Sequence, residues 1–453
     1  DRQALANLAR LYERTEQYND LVEVLDRQIA QEQDATTREA LLRRAGGLWS
    51  DVLDNADQAI ERWARVIELR PADAEALGAL RGLYEQVGDY ERLADVLEQQ
   101  LLIGAIASDD EAAVYEQLGG LYADTLLRPA DAVNAWREVA ARRPEDEAPL
   151  DRLEELYGQQ ASWEPAIAVV ERKVALARTD EDRIELLKRI AALWQTRVGN
   201  QENAAAALER VLELDLGDFD ATSRLETIYT ETQSWAPLAA LCVDRLDVVS
   251  DPWERVGLLR RAAELYEQQI GDVDAAFLIV GKAVREAPTD EVLRQEYARL
   301  ATAASKHVEY VKTYDDVARG LVDAGDNEAA IALLMSNGSV CDVSLGRLDA
   351  AERYYEQVLS LDSEHEGALA ALEGVYERSG SWASLIGVLR RRAHLTSDVR
   401  EQVACHKRIG ELFETKLDDA AEAVEAYKMA VRVDDSDVRS EEHTSELQSR
   451  QYL

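Results

Sequence analysis

One amphipathic phrase of nine residues returns along the chain at a fixed interval. It reads LLRRAGGLW at 41–49, LLKRIAALW at 186–194 and LLRRAAELY at 258–266, and the last two copies begin 72 residues apart (258 − 186 = 72). In each copy the apolar and small residues stand at i, i+3, i+4 and i+7, so they share one face of a helix. A helical phrase that recurs at this period predicts a chain of repeated units, since each unit must bury its apolar face against the next.

Each phrase carries a small residue three positions before a large ring. These pairs are Gly46 and Trp49, Gly119 and Tyr122, Ala191 and Trp194, Ala263 and Tyr266, and Gly410 and Phe413. Ten residues after each ring stands an alanine, at Ala59, Ala132, Ala204, Ala276 and Ala423, and four residues later come Trp63, Trp136, Leu208, Val280 and Tyr427. The second set predicts a second helix, and the small residue of the first helix predicts that the two approach closely. The phrase is therefore half of a helical hairpin.

A second series of large residues alternates with these hairpins. It consists of Tyr12, Tyr84, Tyr157, Tyr229, Ala301 and Tyr376, each followed six residues later by Tyr18, Tyr90, Trp163, Trp235, His307 and Trp382. One repeat is therefore two hairpins, and six repeats fill residues 1–438. Their predicted bounds are 1–73, 74–146, 147–218, 219–290, 291–365 and 366–438. With eight prolines, 23 glycines and no alternating strand pattern, the chain is predicted to be all-α.

The pattern resembles the tetratricopeptide repeat family. Gly46, Trp49, Ala59, Trp63 and Pro71 match its order of small residue, aromatic, alanine, aromatic and closing proline. The resemblance implies a right-handed α-solenoid of stacked antiparallel hairpins, in which residues 1–438 form one superhelix. There are two departures from the family pattern. The turn of these hairpins is one residue longer than usual, and the alternate hairpins carry Arg81, Glu154 or Glu226 where a small residue is expected.

The fifth repeat is irregular between residues 320 and 348. The segment 325–335 predicts the start of a helix, SNGS at 336–339 predicts a break and a turn, and the family pattern returns from Gly346. Two interpretations are open, an irregular hairpin that the array tolerates or a functional hinge or pocket. Residues 439–453 follow no register and resemble the translation of a sequencing adapter, so we exclude them as a non-native tail. We expect the native protein to be longer at both ends.

Composition narrows the range of partners. The chain has 51 Lys and Arg against 89 Asp and Glu, a net charge of −38, which disfavours nucleic acid and anionic membranes. Three cysteines far apart do not form a disulfide framework, which favours a reducing, cytoplasmic location. The longest apolar stretch, Leu101–Ala107, is much shorter than the roughly 20 residues of a membrane span.

No catalytic motif is recognisable, so we predict neither enzymatic activity nor a cofactor. His307 and His406 occupy packing positions of the repeat, and the sequential pair Cys405 and His406 is poorly placed to share a metal. Carboxylates are too numerous for spacing alone to identify an acid and base pair. The ladder of rings has helical spacing and is predicted to be core.

Pairs of cations follow the first stripe residue of four repeats. They are Arg43 and Arg44, Lys188 and Arg189, Arg260 and Arg261, and Lys407 and Arg408, whereas the second repeat has Glu116 and Gln117. By the resemblance, Arg43, Lys188, Arg260 and Lys407 face the inner groove of the superhelix. These four residues either pair with acids on neighbouring helices or form a basic row that binds an acidic peptide or a terminal carboxylate.

The sequence thus favours a non-enzymatic scaffold or adaptor that binds peptides or partner proteins along a curved surface. A second hypothesis is a helical regulatory or assembly segment of a longer protein whose catalytic or anchoring part lies elsewhere. A third, an RNA-processing helical repeat, is disfavoured by the net charge of −38.

Overall fold

The computed structural model describes residues 2–433, and this part of the chain is helical without any β-strand. It contains 24 α-helices. These are α1 (Arg2–Arg14), α2 (Tyr18–Gln31), α3 (Ala35–Asp51), α4 (Ala56–Leu69), α5 (Ala74–Val87), α6 (Tyr90–Leu102), α7 (Ser108–Gly120), α8 (Pro129–Arg142), α9 (Ala148–Gln159), α10 (Trp163–Leu176), α11 (Asp180–Leu193), α12 (Gln201–Leu214), α13 (Phe219–Glu231), α14 (Trp235–Asp244), α15 (Pro252–Glu264), α16 (Val273–Glu286), α17 (Glu291–Ala303), α18 (His307–Ala324), α19 (Asn327–Ser339), α20 (Leu348–Leu361), α21 (Glu366–Ser379), α22 (Trp382–Leu395), α23 (Val399–Thr415) and α24 (Ala420–Val433). The predicted tail, residues 439–453, lies outside the described part.

The chain divides into two compact units, Asp1–Leu225 and Glu226–Leu453. Within each unit successive helices pack on one another, as α3 does on α4 and α19 on α20. Buried apolar clusters follow this stacking, from Ala9 to Val169 in the first unit and from Cys242 to Ala426 in the second. Each unit is therefore a stack of helical hairpins, and the prediction of an all-α solenoid is confirmed.

The small residues of the phrase face the large residues of the following helix. An ideal Cβ on Gly46 would lie 2.8 Å from Nε1 of Trp63, and one on Gly119 would lie 2.6 Å from Nε1 of Trp136. Ala191 is fully buried, at a position three residues before the ring of its own phrase, and Leu208 is also fully buried. A backbone without a side chain is thus needed where the facing residue is aromatic, because packed interiors hold no spare volume.

The two kinds of hairpin end their first helices differently. In the alternate hairpins the first residue of each pair in the second series accepts, on its carbonyl, a hydrogen bond from the backbone N–H five residues later. Tyr84 accepts from Asp89 in this way at 3.0 Å. In the hairpins of the phrase the accepting carbonyl lies six residues back, as in Tyr122 from Arg128 at 2.7 Å and Tyr266 from Asp272 at 2.8 Å. Four of these first helices end in a π-helical turn, at Leu121–Thr125, Trp194–Val198, Leu265–Ile270 and Val340–Ser344. The additional residue predicted from the sequence is accommodated by this wider turn.

The prediction of a helix break at 336–339 is wrong. Helix α19 runs through these residues, because tertiary packing outweighs the turn propensity of Ser-Asn-Gly-Ser. Asn337 is fully buried, and its Nδ2 donates to the carbonyl of Val311 at 3.0 Å. Gly338 lies against the ring of Tyr355, where a Cβ would clash. The fifth repeat therefore keeps the pattern of the others, with Cys341 in place of the aromatic.

Candidate functional site: the charged ladder of the hairpins

In the first compact unit, two phrases have a leading cation, and each of these cations binds a carboxylate that caps another helix. Arg43 on α3 contacts Glu39, Asp73 and Glu75, and the distance from its Nη2 to Glu39 Oε1 is 2.7 Å. Lys188 on α11 lies with its Nζ 2.5 Å from Asp218 Oδ2. Both predicted site residues are thus engaged within the protein.

The partner carboxylates have a second task. Asp73 accepts the N–H of Ala76 at 2.8 Å at the start of α5, and Asp218 accepts the N–H of Ala221 at 2.8 Å at the start of α13. Partial burial opposes ionisation of Asp73 and Asp218, but the cations and the backbone N–H groups outweigh it and hold the pKa of each carboxyl below its ordinary value. Hydrogen bonds to Asp73 and Glu39 in turn raise the pKa of Arg43. Cation and helix cap form one electrostatic unit.

The spacing of these pairs is a signal that the sequence analysis missed. Arg43 and Asp73 are 30 residues apart (73 − 43 = 30), and so are Lys188 and Asp218 (218 − 188 = 30). In the fifth repeat the same two positions hold the uncharged Met335 and His365, and His365 caps α21 by accepting the N–H of Ala368 on Nδ1 at 3.1 Å. The fifth repeat therefore lacks both the cation and the carboxylate, whereas the second repeat lacks only the cation and has Glu116 and Asp146 at these positions.

In the second compact unit, Arg260 has a different environment from Arg43. Its side chain on α15 is exposed, and no described carboxylate lies within 4.0 Å of it, although Asp290 stands 30 residues further along (290 − 260 = 30). Lys407 on α23 is half-buried, and the residue 30 positions later, at 437, lies outside the described part of the chain. Arg260 therefore presents its charge to solvent.

The second cation of each pair binds an acid on the preceding hairpin. The distances between nitrogen and oxygen are 2.6 Å for Arg44 and Glu13, 2.7 Å for Arg189 and Glu154, 3.0 Å for Arg261 and Glu226, and 2.5 Å for Arg408 and Glu377. Glu154 also accepts from the buried Lys173 at 2.6 Å. Burial alone would lower the pKa of Lys173, but its hydrogen bonds to Asp151 and Glu154 outweigh burial and raise it. Internal pairing thus accounts for these second cations.

The second repeat reverses this arrangement. Gln117 stands at the position of Arg189, and Arg81 stands at the position of Glu154. Arg81 donates from Nη2 to Gln117 Oε1 at 2.7 Å. Two departures noted in the sequence therefore meet in one contact. One is the missing second cation, at Gln117, and the other is Arg81, where a small residue is expected.

Within the described part of the chain, no group of three or more His, Cys, Asp or Glu side chains could hold a metal ion. Cys242, Cys341 and Cys405 are buried free thiols, and burial raises the pKa of each. Burial lowers the pKa of His406. None of the helices between residues 2 and 433 has the length and apolarity needed to cross a bilayer.

Comparison with known proteins gives matches to tetratricopeptide repeats. One family model described as tetratricopeptide repeat matches residues 4–39 and 76–111, and a second model of the same description matches 338–365. Cellulose synthase 2 operon protein C of Komagataeibacter xylinus is 30% identical over 223 residues, which are 46% of this chain and 16% of that protein. The chain thus spans a small fraction of the length of this relative.

Two solved structures illustrate the structural likeness. Yeast Tom70 is 14% identical with a TM-score of 0.26, and the match covers 94% of this chain and 98% of Tom70. A tetratricopeptide repeat protein from Parabacteroides merdae is 15% identical with a TM-score of 0.24, and the match covers 58% of this chain and 98% of that protein.

Proposed function

We propose that this chain, a tandem array of tetratricopeptide repeats, is a non-enzymatic scaffold that holds protein partners or peptides on the surface of its stacked hairpins. One observation carries the proposal: the residues that recur along the chain pack against one another or form ion pairs within the protein. Gly119 accommodates Trp136, and Lys188 binds the cap of α13. Function is then left to the exposed side chains, which differ from repeat to repeat.

The mechanism that we propose is preorganised contact at many points. A stack of packed helices presents its surface without further ordering, so a partner meets little of the entropic cost of arranging a binding site. A net charge of −38 favours encounter with basic partners and disfavours acidic ones. Affinity would then come from several modest contacts spread over neighbouring hairpins.

Within this proposal, Arg260 is the member of the predicted basic row best suited to bind an acidic group from a partner. Its guanidinium is exposed and has no described carboxylate within 4.0 Å, whereas Arg43 and Lys188 are engaged by helix caps. A ligand that used Arg43 or Lys188 would have to displace an internal carboxylate. The role of Lys407 stays a prediction.

The test compares partner capture by the wild-type chain with capture by Arg260→Ala and Arg43→Ala. Arg260→Ala is expected to leave the unfolding midpoint unchanged and to weaken capture of partners with acidic segments. Arg43→Ala is expected to lower the midpoint, because Asp73 loses the nearer of its two cations, Arg43 and Arg70. An unchanged set of partners with Arg260→Ala would remove Arg260 from the proposal, and failure of the intact chain to bind any protein would remove the scaffold function.

A second candidate is a helical assembly segment of a longer protein. The observation that favours it is the match to the cellulose synthase 2 operon protein, of which the aligned region is only 16%. The sequence that flanks this chain in its gene tests this candidate. Flanks that encode neither a further domain nor an anchor would contradict it.

A further inference from the structure

Ion pairs brace two pairs of second helices in the first compact unit, α2 with α4 and α10 with α12. Asp26 on α2 binds Arg62 on α4 through two hydrogen bonds of 3.2 and 2.7 Å. Glu171 on α10 binds Arg210 on α12 in the same way, at 2.7 and 3.1 Å. The two acids hold equivalent positions, eight residues after Tyr18 and Trp163 (26 − 18 = 8; 171 − 163 = 8). Each brace joins two second helices.

The brace between α6 and α8 is missing. Glu98 holds the equivalent position, eight residues after Tyr90 (98 − 90 = 8), but α8 offers Ala135 where α4 has Arg62 and Glu138 where α12 has Arg210. Glu98 instead accepts the hydroxyl of Tyr122 at 2.7 Å. An open cavity of about 560 Å³ lies there, lined by residues of α6, α7 and α8 that include Glu98, Ala135 and Glu138.

The walls of this α6–α8 groove are apolar at one end. Leu101, Leu102, Tyr115 and Leu118 line it, and Leu102 is 86% exposed. Leu102 belongs to the apolar stretch Leu101–Ala107, which runs from the end of α6 into the loop before α7. Leu102 thus adds an exposed aliphatic side chain at the apolar end of the groove, where a bound partner would bury it.

The surroundings of the groove are acidic. Glu98, Asp131 and Glu138 line it together with one cation, Arg137, and Glu138 is also paired with Arg142. A second copy of the chain would bring the same acidic segment and a charge of −38 against it, which disfavours self-association at this place. A basic amphipathic helix matches both the apolar walls and the acidic rim.

We propose that the α6–α8 groove is a docking site for a basic amphipathic helix of a partner protein, with aliphatic side chains on Leu101, Leu102 and Tyr115 and cations toward the acidic rim. This proposal rests on the scaffold function and assigns it a surface and a class of partner. Helices α6 and α8 have 13 and 14 residues, so the groove offers about 20 Å of length, enough for roughly four turns of a bound helix.

A second position that lacks the ion pair also lies at a cavity. In the second compact unit, Asp315 on α18 lies eight residues after His307 (315 − 307 = 8), and α20 offers Tyr354 and Gln357 instead of arginine. A cavity of about 350 Å³ lies between them. Arg347 and Arg353 line this second cavity, so a basic partner is not expected there. The proposal of a basic partner therefore concerns the α6–α8 groove.

The test uses the full chain and a labelled peptide of about 14 residues. In this peptide Leu residues occupy one face of a helix and Lys residues the opposite face. Fluorescence anisotropy at physiological salt measures its affinity, and a peptide with Glu in place of Lys measures the charge requirement. Glu138→Arg is designed to restore the brace to Glu98 and close the groove, with Glu213→Arg on α12 as the control of equal charge change. Leu102→Ser removes the exposed anchor, with Leu214→Ser as its control.

We expect Glu138→Arg and Leu102→Ser each to weaken binding of the Lys peptide about tenfold or more, and the two controls to change it less than about twofold. Thermal unfolding of each variant verifies that the chain is folded. Equal weakening by variants and controls, or equal binding of the Glu peptide, would overturn the proposal. A concentration-dependent dimer that Leu102→Ser abolishes would also overturn it, in favour of a second copy. If the chain captures protein partners but does not bind the Lys peptide, the docking site in the α6–α8 groove is contradicted and the scaffold function is not.

Discussion

At the scale of single residues, the volume of one side chain decides its neighbour on the facing helix. Glycine stands opposite Trp63 and Trp136, where an added Cβ would lie 2.8 and 2.6 Å from an indole nitrogen. Gly120, the next residue after Gly119, has no side-chain or distant backbone atom within 4 Å of the Cβ position. The two adjacent glycines therefore differ in function although they share one helix.

We predict that Gly119→Ala destabilises the protein and that Gly120→Ala does not. Alanine at 119 forces Trp136 to move, at a cost of about 1–3 kcal/mol. Alanine at 120 removes backbone freedom from the unfolded chain and stabilises the helix by up to about 1 kcal/mol. Urea unfolding of both variants gives the comparison, and equal midpoints would show that the contact with Trp136 is not limiting.

At the scale of helices and turns, each hairpin of the phrase places one residue in the left-handed region, five positions after the aromatic. Gly199 (φ 77°) and Gly271 (φ 80°) take this conformation without strain, whereas Leu127 adopts it with φ 53°. A side chain at positive φ costs about 1–2 kcal/mol. The turn geometry, not the local sequence, holds Leu127 there.

The reciprocal pair Leu127→Gly and Gly199→Leu tests this interpretation. Leu127→Gly is expected to raise the free energy of unfolding by about 0.5–1 kcal/mol, because relief of strain exceeds the entropy that glycine adds to the unfolded chain. Gly199→Leu is expected to lower it by about 1–2 kcal/mol. Chemical denaturation measures both, and changes of the same sign would contradict the shared turn geometry.

Cation-bound helix caps predict a loss of stability in acid. The pKa of Asp73 and that of Asp218 are lowered in the folded protein, so the unfolded chain binds protons first. Their contribution is therefore complete above the unfolded value near 4 and is lost as the pH falls through the lower folded pKa. Asp73→Asn is expected to cost about 1–3 kcal/mol at pH 7 and less at pH 3.

Denaturation of Asp73→Asn and Asp218→Asn at both pH values measures this difference. Asp272→Asn is the control, since Asp272 caps α16 and has no described cation within 4.0 Å. A cost that is the same at pH 7 and pH 3 would show that the carboxylate charge adds nothing to the cap.

At the scale of the whole molecule, the excess of acid dominates long-range electrostatics. The 89 acids exceed the 51 cations by 38, and most exposed pairs contribute only about 0–1 kcal/mol each. Salt shortens the screening length from about 10 Å at 0.1 M to about 3 Å at 1 M, and it therefore weakens both the repulsion among the excess acids and the attraction within exposed ion pairs. We expect the repulsion to be the larger of the two. We predict that added NaCl raises the thermal unfolding midpoint, and a falling midpoint would show that the ion pairs outweigh the repulsion.

Several features follow from the sequence alone because they depend on contacts within one hairpin. The period of the phrase, the all-α class and the longer turn are all visible in residues that lie close together along the chain. A small residue three positions before a ring predicts a close helix pair wherever it occurs. Such local regularities survive in any packing of the hairpins, since they are set by helical periodicity.

Other features were decided by contacts between hairpins. SNGS stays helical because Asn337 is buried and Gly338 meets Tyr355. Arg43 is bound by Asp73, whereas Arg260 faces solvent. Glu98 accepts a hydrogen bond from Tyr122 instead of one from an arginine on α8, although all three residues belong to recurring positions. Residues 30 or more positions apart come into contact only when neighbouring hairpins stack. The local periodicity of the sequence therefore does not predict which charges are paired or where a groove remains between helices.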